Sequence, residues 1–477
     1  MIPPGAGRSK ALSCPGIRRT DTQTTRGDRL FKVRLLIDTI SLRLAHTVHR
    51  RAGVLPPPLR RHARRGLRVI WWMLTFQLLA RLRARRAAPA GAVPEQRLPN
   101  LTALPVFAAP HAGGRRLTVV TDSINAGSLY GGVGTALILA ALAARRIDAD
   151  LRIVTRTELP DVAKANEVLG ANRIPWDRNI EFVFASRDGA LGTRDVPVAA
   201  GDLFLTTSWW TTRATLQSVP RSRIACLVQE DERAFYPFGD EHLRCMETLA
   251  EPELLYLVNS GLLLAHLRDE GLAPGATAFE PAFPAHLYYP ATRDERPANV
   301  KRGFFFYARP NHIRNLYWRG LEALCAAIEE GILDPAEWDF HFAGQASGDL
   351  PLPRGARPVF CGPMAWPDYA AFIRRMDVGL SLMYTPHPSY PPLDLAASGG
   401  VAVTNRFGRK RSLEHYSRNI VCADLDVPSL VDAIRQASAL AADTPARQAN
   451  FAASGLQRDW ATSMEPALHR LAARAEA

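Results

Sequence analysis

Twice in this chain a short apolar run leads through a loop of glycines or arginines into a helical stretch and then into another apolar run. The first instance is "RRLTVVTDSINAGSLYGGVGTALILAALAARRIDADLRIVTRTE". Leu117 to Thr121 reads as a strand, Gly131, Gly132 and Gly134 as a turn, Ala136 to Arg145 as a helix and Leu151 to Thr155 as the next strand. That order is a βαβ unit, and it commits the chain to a parallel sheet covered by helices. The second instance, "GFFFYARPNHIRNLYWRGLEALCAAIEEGIL", is again strand, loop and helix. Between and after them the alternation continues: "GDLFLTTSWWTT", "IACLVQEDERAFYPFG" with its strand at Ile224 to Val228, "WDFHFAGQ" with its strand at Trp338 to Ala343, and "VFCGPMAWPDYAAFIRRMDVGLSLM". Two consecutive α/β halves follow, and ligands belong at the carboxyl ends of their strands, in the cleft between them.

A length of 477 residues holds two such domains, and 47% apolar with 22% charged residues is the balance of a globular protein. The formal charge of +13 resembles that of a nucleic-acid binder until it is located. Residues 1–90 carry 20 Lys and Arg against three Asp, a net +17, while the remainder carries 39 basic and 43 acidic groups, a net −4. The body is mildly acidic, so a phosphate-binding face for nucleic acid is excluded. Six widely spaced cysteines form no C-x-x-C pair, which reads as reduced thiols of a cytoplasmic protein. The first 20 residues lack the apolar run of a secretory signal.

Within the head, residues 60–86 read "RRHARRGLRVIWWMLTFQLLARLRARR". The apolar stretch Val69 to Ala80 is far short of the roughly 20 residues a bilayer-spanning helix needs. Flanked by arginines and carrying Trp71 and Trp72, it suits a helix lying in the headgroup region of an anionic membrane, peripheral at the inner face of the plasma membrane. A helix packed on the protein or on a partner fits the same pattern. The Pro- and Ala-rich text "AAPAGAVPEQRLPNLTALPVFAAPHAGG" reads as a linker. The expected organisation is a basic extension, helix and linker at 1–110, an N-terminal domain at 111–297, a C-terminal domain at 298–455 and a terminal helix at 456–477.

Several residues stand where chemistry is expected. Gly131 and Gly132 let backbone N–H groups at a helix start approach an anion or a sugar, although the spacing is not the G-x-G-x-x-G of a dinucleotide site. Gln229, Glu230, Asp231 and Glu232 crowd one loop after a strand. Arg309 and Arg314, five residues apart at the end of another strand, offer two guanidinium groups to a diphosphate. In "TPHPSYPPLDLAASGG", Pro386, Pro388, Pro391 and Pro392 hold a loop extended so that Ser389 and Tyr390 face a ligand. A helix is expected to start near Pro392 with Asp394 in its first turn, to pack through Ala396, Ala397 and Ser398, and to end at Gly399 and Gly400.

Taken together, "YGGVGTA", "TTSWWTT", "VQEDERAFYPFG", "FFFYARPNHIRNLYWRGLEAL" and "PHPSYPPLDLAASGGVAVTN" resemble the family 4-like GT-B glycosyltransferases of the bacterial S-layer and polysaccharide rhamnosyltransferase type. The resemblance runs from Leu117 to the C-terminus. It implies an α/β fold of two Rossmann-like domains facing across a cleft, preceded here by the basic, partly helical extension. It further implies transfer of a deoxyhexose, rhamnose, from a nucleoside-diphosphate donor such as dTDP-rhamnose to a glycan or lipid-linked glycan acceptor, with no metal and no other cofactor. On this pattern Arg309 and Arg314 hold the donor diphosphate and Asp394, where glutamate is usual, holds the ribose. The family's second glutamate, eight residues earlier, falls on Pro386, which leaves His387 as the nearest group for the donor sugar. Gly131, Gly132, Ser389, Tyr390 and Ser398 complete the donor-binding set, and Asp231 is the base if the reaction inverts the anomeric centre. The D-x-D strings at Asp148 to Asp150 and Asp424 to Asp426 do not stand at a donor position. A non-catalytic glycan-binding protein and a nucleotide-sugar epimerase of the same fold are the rival readings.

Overall fold

The computed structural model describes residues 98–111, 114–125, 131–291, 300–344 and 350–476. All of them fall in the second of the two units into which the chain divides, Ala84–Ala477. The arginine-rich segment 60–86, and with it the membrane reading, lies outside the described residues. Among the described residues no helix is long and apolar enough to cross a membrane.

The N-terminal domain runs through β1 (Val106–Ala108), β2 (Arg115–Thr121), α1 (Gly132–Arg146), β3 (Ala149–Thr155), α2 (Val162–Ala171), β4 (Ile180–Phe184), β5 (Val196–Val198) and β6 (Asp202–Thr206). It continues through α3 (Trp209–Leu216), β7 (Ile224–Val228), α4 (Asp240–Leu249), β8 (Leu255–Asn259), α5 (Gly261–Asp269) and β9 (Thr277–Phe279). Seven strands form one sheet in the order β4-β3-β2-β6-β7-β8-β9, each pair parallel. Strands β6, β7 and β8 are buried along their whole length, as parallel strands sandwiched between helices must be.

Residues 98–110 belong to this domain instead of forming the free linker expected from their composition. Leu101 and Leu104 are buried in its core, and β1 pairs in parallel with β5. The buried Arg156 donates to the carbonyls of Asn100 and Thr102, at 3.1 and 2.5 Å. Two leucines and a buried guanidinium outweigh the prolines around them, because an extended segment buries apolar side chains as well as a helix does.

The C-terminal domain contains β10 (Arg302–Ala308), α6 (Tyr317–Glu329), β11 (Trp338–Gly344), β12 (Val359–Cys361), α7 (Trp366–Ile373), β13 (Val378–Leu380), α8 (Tyr390–Ala397), β14 (Val401–Asn405), β15 (Ile420–Ala423), α9 (Val427–Ala442) and α10 (Thr444–Ala452). Its six strands run β12-β11-β10-β13-β14-β15, again all parallel. Phe304, Phe305 and Phe306 of β10 are all buried, so both faces of this sheet are covered. Two glycines let helices lie close on it. A Cβ on Gly320 would stand 2.7 Å from Phe306, and one on Gly379 would stand 2.4 Å from Cδ1 of Leu395 in α8.

The last helix, α11 (Trp460–Glu476), crosses back to the N-terminal domain, where Trp460, Met464 and Leu468 join the core around α1. The Trp460 indole donates to Asn172 Oδ1 at 3.0 Å, and Phe283 N donates to Gln457 O at 2.7 Å where the chain makes its two crossings. Helix α8 starts at Tyr390, two residues before the expected Pro392. Pro391 and Pro392 are tolerated there because first-turn N–H groups have no helical partner to lose.

Candidate functional site

Loops at the carboxyl ends of both sheets meet, as the alternation of elements predicts. From the N-terminal domain come Gly131 and Gly132 after β2, the loop 229–235 after β7, and Asn259 closing β8. From the C-terminal domain come Arg309 and Arg314 after β10, the loop 381–389 after β13, and Lys410 after β14.

The basic groups converge. Arg309 donates to the Tyr307 hydroxyl at 3.1 Å and to His312 Nε2 at 2.5 Å. Arg314 lies in the short 3₁₀ turn Ile313–Asn315, ahead of α6, and its Nε has no hydrogen-bond partner. Burial first and Arg309 second lower the Arg314 pKa against the pull of Glu230. Burial and these two arginines push His312 down to about 4. Lys410, fully buried, donates to the carbonyls of Met383 at 3.0 Å and His387 at 3.3 Å. Burial lowers it to about 8. Buried cations gathered in one place favour an anion there.

The acidic loop divides its work. Burial alone would raise the Asp231 carboxyl, but hydrogen bonds from His266 and Arg233 outweigh it and hold the carboxyl below the ordinary aspartate range. Arg233 donates to it through Nε at 2.9 Å and Nη2 at 2.8 Å, and His266 Nε2 lies 3.0 Å away. A carboxylate so stabilised is a weak base, and its bonds to Arg233 and His266 order the loop. Glu232 is turned inward and accepts the Trp209 N–H at 2.6 Å. Glu230 faces the basic cluster, with Oε2 3.8 Å from Arg314 Nε, and burial raises its pKa.

The proline loop differs in detail from its sequence reading. His387 is buried, with Nδ1 accepting the Ser389 N–H at 3.0 Å and Nε2 without a partner. Burial, Lys410 and Arg314 push it down to about 3, so the ring is neutral. Ser389 caps α8 with φ 70° and ψ 150°. Because its N–H is used by His387 and Pro391 and Pro392 follow in the first turn, α8 presents few free N–H donors to an anion. Tyr390 turns to the other domain: its hydroxyl lies 2.6 Å from Thr135 Oγ1 and accepts from Asn259 Nδ2 at 2.8 Å.

Asp394 stands in the second turn of α8, not the first, because the helix begins two residues early. Burial pushes its carboxyl up to about 7 against hydrogen bonds from Tyr369 and Tyr288, the former at 3.1 Å. Ser398 caps the opposite end of α8, about 13 Å of helical rise from Ser389. It lines a small recess with Pro290 and Arg447, so α8's length separates it from the other donor-binding candidates. Gly131 and Gly132 do reach the junction. A Cβ on Gly131 would stand 3.7 Å from the Tyr390 ring, and Gly132 O accepts from Gln229 at 2.7 Å.

Phe235, Lys410, Thr135 and Asn259 are members of this junction that sequence reading did not single out for it, whereas Glu230 belongs to the acidic loop that it did. Lys410 sits in the basic string "NRFGRKRS", which looks like a solvated loop. Among the described residues no three His, Cys, Asp or Glu side chains cluster as metal ligands. Of the D-x-D aspartates, Asp148 pairs with Arg178, Asp150 with His111 and Asp424 with Arg406, while Asp426 caps α9.

Residues 116–258 match the WsaF N-terminal domain and residues 302–435 the WsaF C-terminal domain. The O-antigen biosynthesis protein RfbC of Myxococcus xanthus is 29% identical over 282 residues, 57% of this chain and 20% of that protein. The chain thus spans about a fifth of that relative's length. Anabaena Alr3699/HepE in complex with UDP-glucose superposes with a TM-score of 0.50 at 14% identity, covering 76% of this chain and 98% of that one. Sucrose-phosphate synthase from Thermosynechococcus elongatus gives 0.46 at 14% identity, covering 76% and 94%. The two Rossmann-like domains are those of the GT-B fold. With both of its domains matched in order over more than half of the length, the chain belongs to the WsaF family of GT-B glycosyltransferases.

Proposed function

We propose that this protein transfers rhamnose or a related deoxyhexose from a nucleoside-diphosphate donor, dTDP-rhamnose, to a glycan or lipid-linked glycan acceptor in cell-surface polysaccharide assembly. The observation that carries the reading is the cluster of Arg309, Arg314 and Lys410 at the carboxyl ends of the strands, with Glu230 Oε2 3.8 Å from Arg314 Nε. A diphosphate supplies the missing negative charge. Arg309 and Arg314 then neutralise the leaving group as the glycosidic bond to the donor breaks, which is where preorganised charge accelerates the reaction most. His387 Nε2, neutral and unpartnered, is placed to bond a sugar hydroxyl, and Gly131 and Gly132 form the opposing wall. Glu230, its basicity raised by burial, takes the acceptor proton in an inverting reaction.

A thermal-shift series with nucleoside diphosphates, followed by incubation with the corresponding sugar donors, tests the reading. The expected result is stabilisation by dTDP that Arg309→Ala abolishes, together with release of dTDP from dTDP-rhamnose. If no nucleoside diphosphate stabilises the protein, the transferase reading is wrong. For the head, residues 60–86 are proposed to hold the protein on anionic membrane. Deleting residues 1–86 then ends co-sedimentation with phosphatidylglycerol vesicles, and unchanged sedimentation rejects the proposal.

A further inference from the structure

We infer that the Tyr390 hydroxyl is an interdomain latch: a positioning group that ties the start of α8 to two loops of the opposite domain, not a group that touches the donor. The phenol lies 2.6 Å from Thr135 Oγ1 and accepts from Asn259 Nδ2 at 2.8 Å. Thr135 Oγ1 in turn bonds the Gly131 carbonyl at 3.0 Å, so the glycine loop hangs on the same contact. A phenol has one proton and a small acceptor capacity. Two partners from the N-terminal domain take its one proton and one acceptor bond.

The backbone beside both partners supports the assignment. Ser389, immediately before Tyr390, has φ 70° and ψ 150°, and Ser260, immediately after Asn259, has φ 88° and ψ 143°. That region belongs to glycine, and other residues hold it only when their surroundings impose it. Two such residues, one in each domain, flank a single hydrogen-bonded junction. A second bridge runs parallel to the first: Glu280 accepts the Gly261 N–H at 2.8 Å at the start of α5 and also accepts the Tyr416 hydroxyl of the C-terminal domain. The starts of α1, α5 and α8 are thereby tied to one another. Opening the cleft must break the phenol's bonds, and closing it must restore them.

The inference rests on the nucleotide-sugar reading for its kinetic arm alone. In the full-length chain, Tyr390→Phe keeps the ring, which packs 6.4 Å from Phe283 and 6.0 Å from His387, and removes the hydroxyl. Amide exchange followed by mass spectrometry is expected to rise about tenfold in segments 131–136, 259–264 and 387–393 and to stay unchanged in the sheet strands. The dTDP dissociation constant moves less than about threefold, and kcat falls about tenfold at constant donor KM. Thr135→Val reproduces the exchange pattern, whereas Thr135→Ser, which keeps a hydroxyl, restores the wild-type pattern. The latch is overturned if Tyr390→Phe leaves exchange unchanged while dTDP binding weakens more than about tenfold, because the hydroxyl then serves the donor. It is equally overturned if Thr135→Val leaves all three segments protected. Should the wild-type chain bind no nucleoside diphosphate, the functional reading fails and the exchange comparison still decides the latch.

Discussion

Arg314 of the C-terminal domain holds its guanidinium carbon 4.2 Å over the ring of Phe235 in the N-terminal domain, with Glu230 Oε2 3.8 Å from its Nε. One side chain therefore belongs to the cation cluster proposed for the donor and to the loop that faces it from across the junction. Arg314→Ala is expected to lower kcat/KM by about 10²- to 10³-fold, the usual loss when one charge-stabilising donor is removed. Arg314→Lys keeps the charge but loses the planar group that stacks on Phe235, and it recovers only part of the activity. Full activity in Arg314→Ala, measured as release of dTDP, would remove this residue from the mechanism.

Glu230 opposes that cluster from the other domain. Glu230→Gln removes the anion, so a nucleoside diphosphate is expected to bind as well or about threefold tighter, because it no longer competes with a carboxylate for Arg314. Transfer falls at the same time by about 10²-fold if Glu230 takes the acceptor proton. Isothermal titration together with initial rates separates the two effects. Weaker binding of the nucleotide would mean that Glu230 supports the donor site and does not compete with the donor.

Asp394 makes stability depend on pH. Its folded pKa, pushed up to about 7 by burial, stands above its ordinary value, so its contribution is complete at low pH and is lost as pH rises through about 7. Wild-type stability relative to Asp394→Asn should therefore decline between pH 5 and 7 with a slope of up to about 1.4 kcal/mol per pH unit. The buried neutral His312 and His387 contribute a slope of the opposite sign below their unfolded pKa, and it cancels between the two proteins. Urea titrations of both proteins across this range give the difference directly. Parallel curves would show that Asp394 stays ionised in the fold.

Gly379 bears on the site through packing. An added methyl would stand 2.4 Å from Leu395 Cδ1 and 3.1 Å from the Phe305 ring, so Gly379→Ala must displace the buried Leu395 side chain or α8 with it. A loss of about 1–3 kcal/mol in stability is expected. Because α8 starts at Tyr390, donor KM should change as well. Calorimetry combined with steady-state kinetics tests both, and a fully stable variant with altered kinetics would refute the packing account.

Much of the fold was legible in local text. Ile224 to Val228 is a strand as expected because five consecutive apolar residues between polar loops suit a buried parallel strand and are too few for a helix. The two βαβ units, Arg309 and Arg314 at a strand end, and a glycine turn opening α1 follow from residue order alone. The error over residues 98–110 came from the same source: proline and alanine content says nothing about whether Leu101 and Leu104 find a core. Two prolines in a row mark the first turn of a helix without fixing its first residue, so α8 began earlier and carried Asp394 a turn inward. Which polar group meets which was beyond local reading. Asp231 and His266 are 35 positions apart, and Thr135 and Tyr390 are 255 apart. Sequence determined the elements, because strand and helix preferences act over a few residues. Only tertiary structure decided the partners, because the proton capacity of a phenol or a carboxylate is allotted by whichever groups the packed domains bring within about 3 Å.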